Sequence, residues 1–138
     1  MNRFVLDASV ALAWCFEDEA SGPADRLLDS MAAAEAVVPA IWPVEVANAL
    51  IAAERRRRIT SAGVSHCLGF LRRLAIRVDE AGPQVDVEPL VELARSTRLA
   101  AYDAAYLSLA LRTGLPLATL DRALVHAARR LGVSLLTL

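Results

Sequence analysis

The sequence predicts a three-layer α/β domain in which a parallel sheet of about five strands is flanked by helices on both faces. Three observations carry this expectation. Short apolar, β-capable runs alternate with longer segments of helical periodicity along the whole chain. At 138 residues and 56% hydrophobic, the chain can bury one sizeable core without covalent staples. No internal repeat, linker or low-complexity tract divides it, so residues 1–138 read as a single domain.

Phe4 to Leu6 is the first strand, ending at Asp7, with Ser9 placed to cap a helix from Val10 to Phe16. Glu17 to Pro23 reads as a loop, in which Ser21-Gly22-Pro23 starts a second helix running to about Ala34. Ala36 to Pro39 is the second strand. Pro43 suits the first turn of a helix that carries Glu45 and Asn48 and reaches Arg55. Thr60 or Ser61 caps the next helix, through Leu71 and Leu74, and Ile76 to Val78 is the third strand. Gly82-Pro83 opens a helical region with Val87, Leu90, Val91 and Ala94 at helical spacing. The stretch YDAAYLSLALRTG is a helix ended by Gly114. Leu115 to Leu120 is the fourth strand, Asp121 caps a helix through Leu131-Gly132, and Val133 to Leu136 is the fifth strand.

Composition narrows the function. The net charge is −1, so nucleic acid is drawn by no global field, only by local arginines or a metal. All 15 basic side chains are Arg, which removes every mechanism that requires a lysine. Cys15 and Cys67 form no CxxC or metal-ligand spacing and read as reduced, structural residues. With no signal peptide and no apolar run long enough to span a bilayer, the expected location is the cytoplasm. The apolar excess also predicts a buried subunit or partner interface.

The acids fall at telling places. Asp7 and Asp121 lie just past the ends of the first and fourth strands, and Glu45 and Asp103 lie near the starts of helices. In an open parallel sheet, ligands bind beyond the carboxyl ends of the strands. Each acid alone could be an ordinary helix cap or first-turn charge. Four converging carboxylates, however, repel one another and resist ionisation unless a cation joins them. Oxygen ligands suit Mg²⁺ or Mn²⁺, and the two histidines, His66 and His126, are too far away in sequence for a zinc site.

The segments FVLDAS, PAIWPVEVANAL, YDAAYLSLA and ATLDRAL, in this order and spacing, resemble a PIN-domain nuclease and, more narrowly, the VapC toxin of a bacterial toxin–antitoxin pair. The resemblance implies that Asp7, Glu45, Asp103 and Asp121 form an acidic metal site, supported by Thr119 of the TLD element. Ser9 and Asn48 are supporting candidates, with helix cap and solvated helix polar as their plainer readings. It further implies strand order 3-2-1-4-5, homodimerisation, a hetero-oligomer with an inhibitory VapB-type antitoxin, and metal-dependent hydrolysis of RNA leaving a 5′-phosphate.

Arg55, Arg56, Arg57 and Arg58 form the densest basic run; they either meet RNA phosphates or oppose the dipole at a helix C-terminus. Trp14, Phe16 and Trp42 read as core, with a share in an antitoxin groove or base-stacking surface as the alternative. A phosphoacceptor domain would need adjacent acids after the first strand and a lysine, and a haloacid-dehalogenase-type phosphatase Asp-x-Asp and a lysine; neither pattern occurs. The surviving rival is a catalytically silent fold that binds RNA or protein.

Overall fold

The apolar run at the start of the chain forms β1 (Asn2–Leu6), whose last three residues are buried. It lies at the centre of a four-stranded parallel sheet in the order β3-β2-β1-β4, with β2 at Ala34–Val38, β3 at Ile76–Val78 and β4 at Leu117–Ala118. The computed structural model describes residues 2–79 and 87–136. The Gly82-Pro83 helix start lies outside them. The predicted fifth strand contracts to a single parallel bridge between Leu117 and Leu135, on the β4 side. The order of the first four strands therefore follows the expectation. β4 is shorter than predicted because only Leu117 and Ala118 stand opposite Val5 and Leu6 before the chain turns away.

Parallel strands need crossovers, and seven α-helices are described: α1 (Ala8–Cys15), α2 (Gly22–Ser30), α3 (Trp42–Arg55), α4 (Ser61–Arg72), α5 (Val87–Thr97), α6 (Ala101–Thr113) and α7 (Arg122–Arg130). They form two sets: α1 meets α2 and α3, and α3 meets α4, whereas α6 meets both α5 and α7. Between them Val5, Leu6, Ala36, Val37 and Val38 are completely enclosed, as strands covered on both faces must be.

Local chemistry sets most boundaries. Ser21 accepts from the Ala24 N–H and Thr60 from the Gly63 N–H, capping α2 and α4. Gly114 ends α6 in the left-handed region, φ 72°, where a Cβ would be strained. Three expectations shift. α1 begins at Ala8, so Ser9 lies inside the helix and does not cap it. α2 ends at Ser30, and the chain tightens through a 3-10 turn at Met31–Ala33 into β2 two residues early. Arg55 alone of the arginine run is in a helix, because Arg56 is the C-cap of α3 and Arg57 turns left-handed at φ 59°.

The reduced-cysteine expectation is overturned: Cys15 and Cys67 form a disulfide joining the end of α1 to α4. The pairing spans 52 residues and no local spacing signals it; helix packing brings the Cα atoms to 5.6 Å, within the range a disulfide needs. Cys67 is the one buried residue of α4. Phe16 and Trp42 are core residues, while half-buried Trp14 donates its indole N–H to the Ala24 carbonyl.

Candidate active site

The strand register dictates the centre of the site. Val5 and Leu6 pair with Leu117 and Ala118, and the Asp7 N–H still bonds the Ala118 carbonyl at 3.0 Å. The next residues, Asp7 and Thr119, therefore leave the neighbouring strands β1 and β4 side by side. Both are buried, at 4% and 5% exposure, the two buried polar residues among those described. Thr119 Oγ1 donates to Asp7 Oδ2 at 2.7 Å, and Ser9 Oγ donates to the same oxygen at 2.6 Å. The carboxylate is thus clamped from the first turn of α1 and from the residue that follows β4. This occupies Asp7 locally, so it stands at the N-cap of α1 without capping the helix through its side chain.

The two hydroxyls also order the following loop. Leu120 N–H donates to Ser9 Oγ at 3.1 Å and Asp121 N–H to Thr119 Oγ1 at 3.0 Å. Asp121 then caps α7, its Oδ1 accepting from Leu124 N–H at 3.1 Å. Ser9 is therefore a connector between Asp7 and the β4–α7 turn rather than a helix cap.

Glu45 stands in the first turn of α3, reached directly from the end of β2. Tyr106 Oη donates to Glu45 Oε1 at 2.7 Å. Tyr106 was not among the residues anticipated, because in YDAAYLSLA it looks like one more apolar position of α6. Asp103, in the first turn of α6, accepts no hydrogen bond among the described residues. Asn48 is exposed, and its side chain makes no hydrogen bond among the described residues.

Electrostatics show that the four acids share one environment. Burial raises the Asp7 carboxyl above its usual range, and the Asp121 charge adds to this, against the opposing bonds from Ser9 and Thr119. Burial likewise raises Glu45, with Tyr106 opposing and the Asp7 charge adding. Asp103 is pushed up to about 6, first by burial and then by the charges of Asp121, Asp7 and Glu45. None of the four forms an ion pair among the described residues.

The donor set fits a hard divalent cation: it is all oxygen, anionic and uncompensated. Among the described residues, no three His, Cys, Asp or Glu side chains are gathered tightly enough to enclose an ion by themselves. Mg²⁺ keeps several waters and takes one or two carboxylates directly, so it does not require such an enclosure.

Of the arginine run, Arg58 is committed within the chain. It pairs with Asp18 and Glu19 and lies 4.3 Å over the Phe16 ring. Arg55, Arg56 and Arg57 are exposed.

Comparison with known proteins bears on this geometry. No curated protein matches the sequence. Among solved structures, the crystal structure of PAE2754 from Pyrobaculum aerophilum matches with a TM-score of 0.70 and 23% identity, covering 91% of this chain and 84% of that one. At this identity the likeness is one of fold. The family model of the PIN domain matches residues 4–130, a span that holds all four acids and all of the sheet except the first two residues of β1. The chain belongs to the PIN-domain family, a fold whose members are generally nucleases.

Proposed function

We propose that this protein is an Mg²⁺- or Mn²⁺-dependent endoribonuclease acting as the toxin of a VapBC-type toxin–antitoxin pair in the cytoplasm. One observation carries the catalytic reading: four acids from β1, α3, α6 and the β4–α7 turn are electrostatically coupled without a cationic partner among the described residues. Leaving such a cluster uncompensated destabilises the fold, so a function for it is the economical account.

Asp7, Glu45 and Asp121 would hold the ion, directly or through its retained waters, with Asp103 as a further ligand or water-orienting group. When bound, the ion offsets the charge of the approaching phosphodiester and makes water acidic enough to serve as the nucleophile at neutral pH. Ser9 and Thr119 fix Asp7. Asp103, free of hydrogen bonds among the described residues, accepts one from the attacking water and orients it in line with the leaving oxygen. The water oxygen bonds to phosphorus as the bond to the 3′-oxygen breaks, leaving a 5′-phosphate and a 3′-hydroxyl. Arg55 to Arg57 lie at the far end of α3, roughly 15 Å from Glu45 along the helix axis, where they would meet flanking phosphates.

An apolar groove of about 410 Å³ beside the site supports the partner expectation. Pro39, Ile41, Leu90, Tyr102 and Ala105 line it, and Tyr102 is 61% exposed. A second copy of the chain and an antitoxin helix are both expected to cover apolar surface of this kind.

Asp7→Asn tests the reading. RNA cleavage in Mn²⁺ should fall at least about 100-fold, the upper end of what disturbing a metal site's outer partners costs, with the circular-dichroism spectrum preserved. Undiminished cleavage would refute the assignment. A wild-type chain that binds RNA without cutting it would instead point to the silent binding module. Sequencing the 5′ ends made in cells identifies the RNA, and relief of growth arrest by the neighbouring reading frame tests the toxin role.

A further inference from the structure

Tyr106 and Tyr102 sit one turn apart on α6 and are used in opposite ways. Tyr102 is 61% exposed, whereas Tyr106 is completely buried, the largest side chain so enclosed. A phenol hydroxyl in that position needs a partner, because an unpaired one forfeits its hydration with nothing in return. Its partner is a carboxylate: Oη donates to Glu45 Oε1 at 2.7 Å, joining α6 to α3 across 61 residues of sequence. The Ala8 backbone lies against the same phenol oxygen and against the Asp7 carboxyl. The Tyr106 hydroxyl thus lies close to both Glu45 and the chain that follows Asp7.

Glu45 otherwise has no side-chain donor among the described residues, and a glutamate has three rotatable bonds to order. One short bond from a rigid, buried ring removes most of that freedom, while Oε2 has no donor among the described residues. Outer partners of this kind set the orientation of metal-ligating carboxylates.

We propose that Tyr106 is a positioning residue, its hydroxyl holding Glu45 in the orientation from which it ligates the divalent cation. The inference rests on the metal-site reading above and extends it to a residue outside the four acids.

The test is Mn²⁺ titration of metal-free protein by calorimetry, without RNA. Tyr106→Phe keeps the ring and its packing and removes one oxygen. Mn²⁺ affinity should fall by about tenfold or more. In the nuclease assay the Mn²⁺ concentration giving half the maximal rate should rise by a similar factor, while the rate at saturating Mn²⁺ stays close to that of the wild type. A general packing defect would not produce this split. Glu45→Gln should also weaken binding, and adding Tyr106→Phe to it should do nothing further.

Unchanged Mn²⁺ affinity in Tyr106→Phe overturns the proposal, as does an equal loss in the Glu45→Gln background. If Tyr106→Phe melts too low to titrate, Glu45→Asp, whose shorter chain no longer reaches the phenol, takes its place: affinity should fall, and intact affinity counts against the proposal. Failure of the wild-type chain to bind Mn²⁺ is a separate result, and it removes the metal-site reading itself.

Discussion

Two groups of carboxylates on the same sheet are treated in opposite ways. Glu35, on β2, faces Arg3 of β1 in register and is joined by Arg77 of β3, with both guanidinium groups 3.2 Å from its Oε1. Those arginines lower its carboxyl below the usual range. At the other end of the strands, Asp7, Glu45 and Asp103 have no such partner, and all three carboxyls are raised. A chain with 15 arginines does not lack the means to neutralise these acids. It pairs Glu35, Asp18 and even Asp79, just past the end of β3, with arginine and leaves Asp7, Glu45, Asp103 and Asp121 to one another. Uncompensated charge within the four-acid site and ion pairs around it mean that function and stability are assigned to different side chains.

The largest test of that division is covalent. The Cys15–Cys67 disulfide joins the end of α1 to α4 across a 52-residue span that contains Glu45. Neither cysteine is a member of the acidic site, so the bond should hold the body together without entering the chemistry. Replacing both cysteines by alanine, or adding reductant, should lower the unfolding free energy by up to about 4 kcal/mol in the chain-entropy account. Cleavage per folded molecule should be unchanged. Denaturant melts and activity measured in parallel check this, and loss of both together would show that α4 and the site are not independent.

A medium effect is expected from moving an arginine to the uncompensated site. Asn48 is exposed one helical turn after Glu45, so Asn48→Arg brings in a guanidinium without disturbing the core. A unit positive charge at that range competes with the cation, and Mn²⁺ affinity should fall roughly tenfold. Asn48→Ala should leave affinity close to wild type. A loss in both variants would give Asn48 a direct supporting role.

The smallest effect is the pH dependence of stability in chelator-treated protein, where the two groups have opposite signs. Asp103, pushed up to about 6, binds a proton more readily folded than unfolded. Stability should therefore rise as pH falls from about 6 towards the carboxyl's ordinary value, a change in Tm of roughly 2 to 5 °C. Glu35 has the reverse sign: its contribution is present above the ordinary glutamate value and is lost as pH falls through its lowered one. Calorimetry from pH 7.5 to 3.5 should show a rise and then a fall. Asp103→Asn should remove the rise and Glu35→Gln should reduce the fall; a monotonic decline from pH 7 in the wild type would break the comparison.

How far the sequence could be read depended on the distance over which each signal acts. Gly114 stops α6, Thr60 caps α4 and Pro43 opens α3 through contacts within a turn, and those elements lie where periodicity put them. The arginine run stayed ambiguous for the same local reason: nothing in four consecutive arginines shows that Arg57 turns left-handed and Arg58 folds back over Phe16. The fifth strand was legible as an apolar run, but its pairing depended on how far β4 extends beside it.

Local sequence thus determined the α/β layering, the ends of most helices and the placing of Asp7, Glu45, Asp103 and Asp121 at strand ends and first turns. Backbone hydrogen bonding and apolar periodicity act within a few residues, so a linear string records them. Tertiary structure alone decided that Ser9 and Thr119 clamp one oxygen of Asp7, that Cys15 meets Cys67, and that Tyr106, rather than Tyr102, reaches Glu45. Ser9 is only two residues from Asp7. Thr119, Cys67 and Tyr106, however, meet their partners only because sheet order and helix packing bring distant parts of the chain within a few ångströms. A phenol in an apolar stripe looks like core until its partner, 61 residues away, is in place.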